Sequence, residues 1–182
     1  MTLSHELGHG IHQVLTAKQG ETLSTTPLII AETASVFGEM LTFERILKDE
    51  KNQSQRKYLI ASKIEDMINT VIRQISFYDF EYRVHQQRKN GELTTKSISE
   101  IWMDISKESL GDAFLYDDRY ESFWSYIPHF IHSPFYVYAY AFGDGMVNAL
   151  YSTYRSGMDD FENKYLDLLS AGGSKTHTDL LS

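Results

Sequence analysis

Only three prolines, at positions 27, 128 and 134, interrupt 182 residues in which apolar side chains return every three to four positions almost from end to end. At roughly 100° per residue that spacing gathers apolar groups on one face of an α-helix, and it matches no alternating strand pattern. The chain is therefore predicted to be all-α. A first helix runs from about Ser4 to Lys18 and closes at Gly20. Thr26-Pro27 reads as an N-cap followed by proline at the first helical position, opening a second helix through LIIAETASVFGEMLTFERILKDE. A long third helix, about Ser54 to Lys89, ends at Asn90-Gly91, and shorter ones cover about Lys96 to Ser109 and Arg119 to Phe130. Ser133-Pro134 repeats the cap-plus-proline signal ahead of PFYVYAYAFGDGMVNALYSTYRS, and a last helix spans about Asp159 to Leu169. No linker, repeat or low-complexity segment divides these elements. With 42% hydrophobic residues the chain suffices for one well-buried core, which predicts a single domain over 1–182.

Charge and composition remove several classes of function. A formal net charge of −8 repels a phosphate backbone, and no local run of Lys and Arg overrides it, so nucleic acid is not expected as a partner. There is no cysteine, so disulfides are impossible and any zinc ion must take nitrogen and oxygen ligands from His, Asp and Glu. No apolar run approaches the roughly 20 residues that span a bilayer, and the first residues as given lack the basic-then-apolar pattern of a secretion signal. A soluble, intracellular protein without a membrane partner is expected.

The densest chemistry lies at residues 4–12, SHELGHGIH. His5 and His9 stand at i and i+4, within about 40° of each other on a helix, so both imidazoles can reach one ion. Glu6 is rotated by about 100°, beside such an ion rather than on it, where it can take a proton from zinc-bound water. An HExxH run alone also arises by chance on charged helices. Glu32 offers a third, oxygen ligand from the next helix, within the apolar surroundings Ile29, Ile30, Ala31, Ala34 and Val36. A carboxylate there needs a positive partner, unless it faces solvent on the polar side of the helix. Glu39, seven residues on, returns to nearly the same face and either holds a liganding histidine through its second ring nitrogen or lies on the surface. His12 shares the histidine face, one turn beyond His9, and reads as a packing or supporting residue rather than a third imidazole ligand.

A second cluster, SYIPHFIHSPFYVYAYAFG, brings His129, His132, Tyr136, Tyr138 and Tyr140 around a proline-punctuated turn. Tyr136 and Tyr140 are one helical turn apart, while Tyr138 points elsewhere. A tyrosine hydroxyl or histidine N–H aimed at the attacked carbonyl would stabilise the negative oxygen that peptide hydrolysis develops. An aromatic packing stripe accounts for the same pattern.

Taken in order, HELGHGIH, AETASVFGEML, IPHFIHSPFYVYAYAFGD and LLSAGGSK resemble the catalytic region of oligoendopeptidase F, within the thimet-oligopeptidase-like zinc peptidases. The resemblance covers essentially the whole chain. It implies a helical, zincin-like core and a cytoplasmic zinc endopeptidase that cleaves short peptides in a deep channel, with one Zn2+ per chain. By that similarity His5, His9 and Glu32 correspond to the zinc ligands, Glu6 to the general base, and Glu39 to a carboxylate behind the ligands. His129 corresponds to a histidine that binds substrate and the transition state, Tyr140 and Tyr136 to donors toward the oxyanion, and Gly172 or Gly173 to the channel lining. Members of the family are several times longer, so the resemblance implies a catalytic domain truncated at both ends, with a missing N-terminal portion as a partner. Two expectations follow. Ser4 as N-cap would leave His5 in a fraying first turn, and apolar surface meant for burial would be exposed. An active peptidase and a helical fragment that binds metal but needs complementation are both compatible with these residues.

Overall fold

The structure, a computed structural model, describes residues 1–27 and 30–180, with the side chains of Ala113 and His177 left out of the description. Leu28 and Ile29, both inside the expected second helix, lie outside the described residues. Among the described residues there is no strand, and the neighbouring solved structures share the helical fold. The α-helices are α1 (Thr2–Thr16), α2 (Gly20–Leu23), α3 (Thr33–Asp49), α4 (Gln53–Ile68), α5 (Gln74–Arg88), α6 (Thr95–Leu110), α7 (His129–His132), α8 (Tyr138–Arg155), α9 (Phe161–Ser170) and α10 (His177–Leu180). No described helix is long and apolar enough to cross a membrane.

Several boundaries differ from those expected. α1 begins at Thr2 with Met1 as its N-cap, and the His5 amide donates to the Met1 carbonyl at 3.1 Å. His5 is thus the fourth helical residue with its amide bonded, and Ser4 instead pairs its hydroxyl with Thr42 of α3 at 2.8 Å. The second helix starts at Thr33 rather than at Pro27, and Glu32 is its N-cap at φ −89°, ψ 2°. The long third helix is α4 and α5 joined by a π turn over Asn69–Arg73. The expected helix from Arg119 to Phe130 is a 3-10 segment, Asp118–Tyr126, followed by the four residues of α7. Proline explains the break: Ile127, which precedes Pro128, is extended at φ −87°, ψ 102°, as a residue before proline prefers. α8 starts at Tyr138 because Phe135 turns the chain first, at φ 59°, a left-handed conformation uncommon for a bulky residue.

Contacts separate two compact units, residues 1–66 with 142–182, and residues 67–141. In the first, Phe37, Val147, Tyr151 and Phe161 form one buried cluster, and Ala34, Leu168 and Leu169 form another against Leu15. α1 lies directly on α3. A Cβ on Gly8 would sit 2.5 Å from the Ala34 oxygen and 2.5 Å from Ser35 Cα, so only glycine permits this approach. In the second unit, Phe77, Phe80, Ile101, Trp102, Ile105, Ile127 and Val137 make the core. Each such side chain contributes about 1.5–3 kcal/mol by burial. Trp102 donates its indole N–H to the Tyr120 carbonyl at 3.0 Å, which satisfies a polar group that burial would otherwise strand.

Candidate metal centre

The i, i+4 spacing on α1 brings the His5 and His9 rings edge to face, with centroids 4.7 Å apart and Nε2 atoms 3.0 Å apart. The close α1–α3 contact at Gly8 delivers Glu32 to the same point. Its Oε2 lies 3.5 Å from His5 Nε2 and 3.4 Å from His9 Nε2. Among the described residues these three form the group able to converge on a metal ion. A tetrahedral ion with ligands at about 2.0–2.1 Å needs ligand atoms about 3.3 Å apart, and a borderline ion such as zinc accepts two imidazoles and a carboxylate. The donor set fits. Charge fits as well, since one carboxylate and two neutral imidazoles offset part of a dication.

The tautomer is arranged from behind. Glu39 Oε1 is 3.1 Å from His5 Nδ1, so that nitrogen carries the proton of the neutral ring and Nε2 keeps a lone pair. A ring that ligates an ion through Nε2 must carry its own proton on Nδ1, and the same condition applies to His9, whose Nε2 faces His5 Nε2. Ser35 was not among the expected residues, yet it is fully buried (0% exposed) and donates its hydroxyl toward Glu32 Oε2 at 2.9 Å and toward the Glu32 carbonyl at 3.0 Å. The sequence signal for it is weak, a serine three residues after the glutamate. Gly8, the fourth residue of HELGH, was not among the expected residues either; a glycine in a helix interior is the available sign of close packing.

Glu6 is exposed on α1. His12 is buried at 3% exposure, outside the converging triad, and its Nε2 meets no hydrogen-bond partner among the described residues. Burial, followed by the nearby His9, lowers its pKa and favours the neutral ring. Gly172 packs so closely on the Leu23 carbonyl that a side chain there would collide with it, and a Cβ on Gly173 would lie 3.2 Å from the Thr25 carbonyl.

In the second unit the aromatic cluster forms. Tyr140 and His129 Nε2 are 3.3 Å apart, Tyr136 stacks on His129 at 9° with centroids 5.8 Å apart, and Tyr136 meets Tyr140 edge to face at 5.1 Å. Tyr136 precedes α8 rather than occupying its first turn. Tyr138 packs against Tyr78, away from this group, and His132 is exposed. The turn that sets Tyr136 is tied down by Glu81, 2% exposed, whose Oε1 accepts the Phe135 N–H at 2.9 Å. Burial pushes the Glu81 carboxyl above its ordinary range, against smaller opposing effects of that N–H and of His85.

Comparison with known proteins bears on this geometry. A family model described as Peptidase family M3 matches residues 1–182. The Oligopeptidase PepF of Bacillus subtilis is 34% identical over 182 residues, covering 99% of this chain and 27% of that protein. An Oligoendopeptidase F homolog of Borreliella burgdorferi is also 34% identical, covering 100% of this chain and 31% of its own length. Among solved structures, oligoendopeptidase-F from Enterococcus faecium superposes with a TM-score of 0.82 at 28% identity, over 99% of this chain and 32% of that one. The chain thus spans less than a third of the length of the relatives it matches.

Proposed function

The chain belongs to peptidase family M3, and on that premise we propose that it carries the zinc site of a metalloendopeptidase that hydrolyses short peptides. Residues 1–182 are read as part of one catalytic domain, acting in the cytoplasm as the family resemblance implies. His5, His9 and Glu32 would hold one Zn2+, with Glu39 fixing the His5 ring. A zinc ion bound there supplies a Lewis acid that polarises a carbonyl and makes water more acidic.

The remaining chemistry falls to this chain's own groups. Glu6 accepts the proton of the attacking water and passes it to the departing amine. His129, Tyr136 and Tyr140 donate hydrogen bonds to the oxygen that becomes negative, a part that rests on the family resemblance and on the bond between Tyr140 and His129. One observation carries the proposal: three donor atoms from two segments, α1 and the N-cap of α3, converge within 3.5 Å of one another. The test is Glu6→Gln. Cleavage of a fluorogenic peptide should fall by at least about 100-fold while zinc stays at one per chain. Undiminished turnover excludes Glu6 as the base.

A second reading is favoured by length. Because the chain spans 27–31% of its relatives, zinc binding and catalysis need not coincide in these 182 residues. On this reading the chain binds zinc and cleaves peptides only when the rest of the enzyme is added. Zinc uptake without hydrolysis, followed by hydrolysis on adding the remainder, separates the two readings.

A further inference from the structure

We propose that Ser35 is a positioning residue that holds the Glu32 carboxylate in its metal-facing orientation. This rests on the reading of His5, His9 and Glu32 as a zinc site. Glu32 is the N-cap of α3, a place where a side chain usually folds back to accept an amide from the first turn. Its side chain makes no such bond. The carboxylate points instead toward the two imidazoles, so the flexible side chain needs another anchor.

Ser35 provides it. The hydroxyl has one proton, and its two acceptors within reach both belong to Glu32: Oε2 at 2.9 Å and the main-chain oxygen at 3.0 Å. The residue is fully buried, so water does not compete for that proton. Its backbone is also clamped on α1, since Gly8, which lies between His5 and His9, approaches so closely that a Cβ would come within 2.5 Å of Ser35 Cα. One residue thereby touches the imidazole-bearing helix with its backbone and the carboxylate with its side chain. That couples the separation of the ligands to a single buried point. A serine in the first turn of a helix often bonds back only to the carbonyl three residues earlier, and such a bond would leave the carboxylate unaffected.

A double-mutant cycle on the 182-residue chain distinguishes these roles. Zn2+ affinity is measured by chelator competition for the wild type, Ser35→Ala, Glu32→Ala and the double variant, and visible absorption of the Co2+ forms reports ligand geometry. Ser35→Ala should weaken Zn2+ about 10-fold and shift the Co2+ bands, as loss of a group supporting a ligand does. In the Glu32→Ala background it should do nothing more. Unaltered affinity in Ser35→Ala, or an equal loss in both backgrounds, overturns the assignment. A wild-type chain that takes up no Zn2+ instead overturns the metal-site reading on which it depends.

Discussion

Glu39 Oε1 lies 3.1 Å from Nδ1 of His5, the ring whose Nε2 faces both His9 and Glu32. An acceptor at Nδ1 decides which nitrogen of a neutral imidazole has a free lone pair, so on the proposed metal-site reading a residue that touches no ion would still govern how well one is held. Glu39→Ala should lower Zn2+ affinity about 10- to 100-fold, and Glu39→Gln, whose amide oxygen can still accept the proton, by less. Chelator competition measures both. Equal affinities for all three chains would remove Glu39 from the site.

Gly8→Ala tests the helix contact that assembles the donors. The added methyl meets the Ala34 carbonyl and Ser35 Cα at 2.5 Å, and both are backbone, so α1 must move away from α3. Overpacking of this kind destabilises by about 1–3 kcal/mol. The thermal midpoint and the zinc content should fall together. A variant that melts lower yet keeps full zinc would show that the ligands tolerate the shift.

Stability should depend on pH through Glu81. Its carboxyl holds a proton more tightly in the folded chain than in the unfolded one, because burial disfavours the charged form. The stability this contributes is complete below the ordinary glutamate value and is lost as pH rises through the raised folded value. Glu81→Gln keeps an acceptor for the Phe135 N–H but cannot ionise. The decline in melting midpoint above the ordinary glutamate range should flatten in this variant. Parallel pH curves would assign the decline elsewhere.

The outer face of α1 is apolar and open: Leu3, Leu7, Ile11 and Val14 are 74%, 57%, 55% and 76% exposed. The first three border a groove of about 810 Å³ that continues over Leu41 and Leu166. Contiguous apolar surface of this kind invites association. The chain should enhance the fluorescence of a hydrophobic dye, and Leu7→Ser with Ile11→Ser should lower that signal while changing stability by no more than about 0.5 kcal/mol per site. Dye binding unaffected by the double change would place the sticky surface elsewhere.

Removal of metal should also be visible in stability. A ligand bound only by the folded state at 100 times its Kd adds about 2.7 kcal/mol, so a chelator should lower the midpoint by several degrees. A helical scaffold with incidental histidines would melt at one temperature with or without the chelator.

Helical content and the pairing of His5 with His9 were legible in the sequence, because both follow from the 3.6-residue period within one segment. Glu39 was legible as a candidate for the same reason, seven residues from Glu32. Where each helix began was less so: the expected helix from Arg119 to Phe130 runs through Pro128, where the chain breaks, and the next helix starts at Tyr138 rather than at Pro134, after a left-handed turn at Phe135 whose N–H bonds Glu81, distant in sequence and buried. Glu32 as an N-cap, Ser35 behind its carboxylate and the clearance at Gly8 were decided by tertiary packing alone. Periodicity settles which way a side chain leaves its own helix, whereas the distance between donors on two helices is set by how closely their backbones pack, and that belongs to no single stretch of chain.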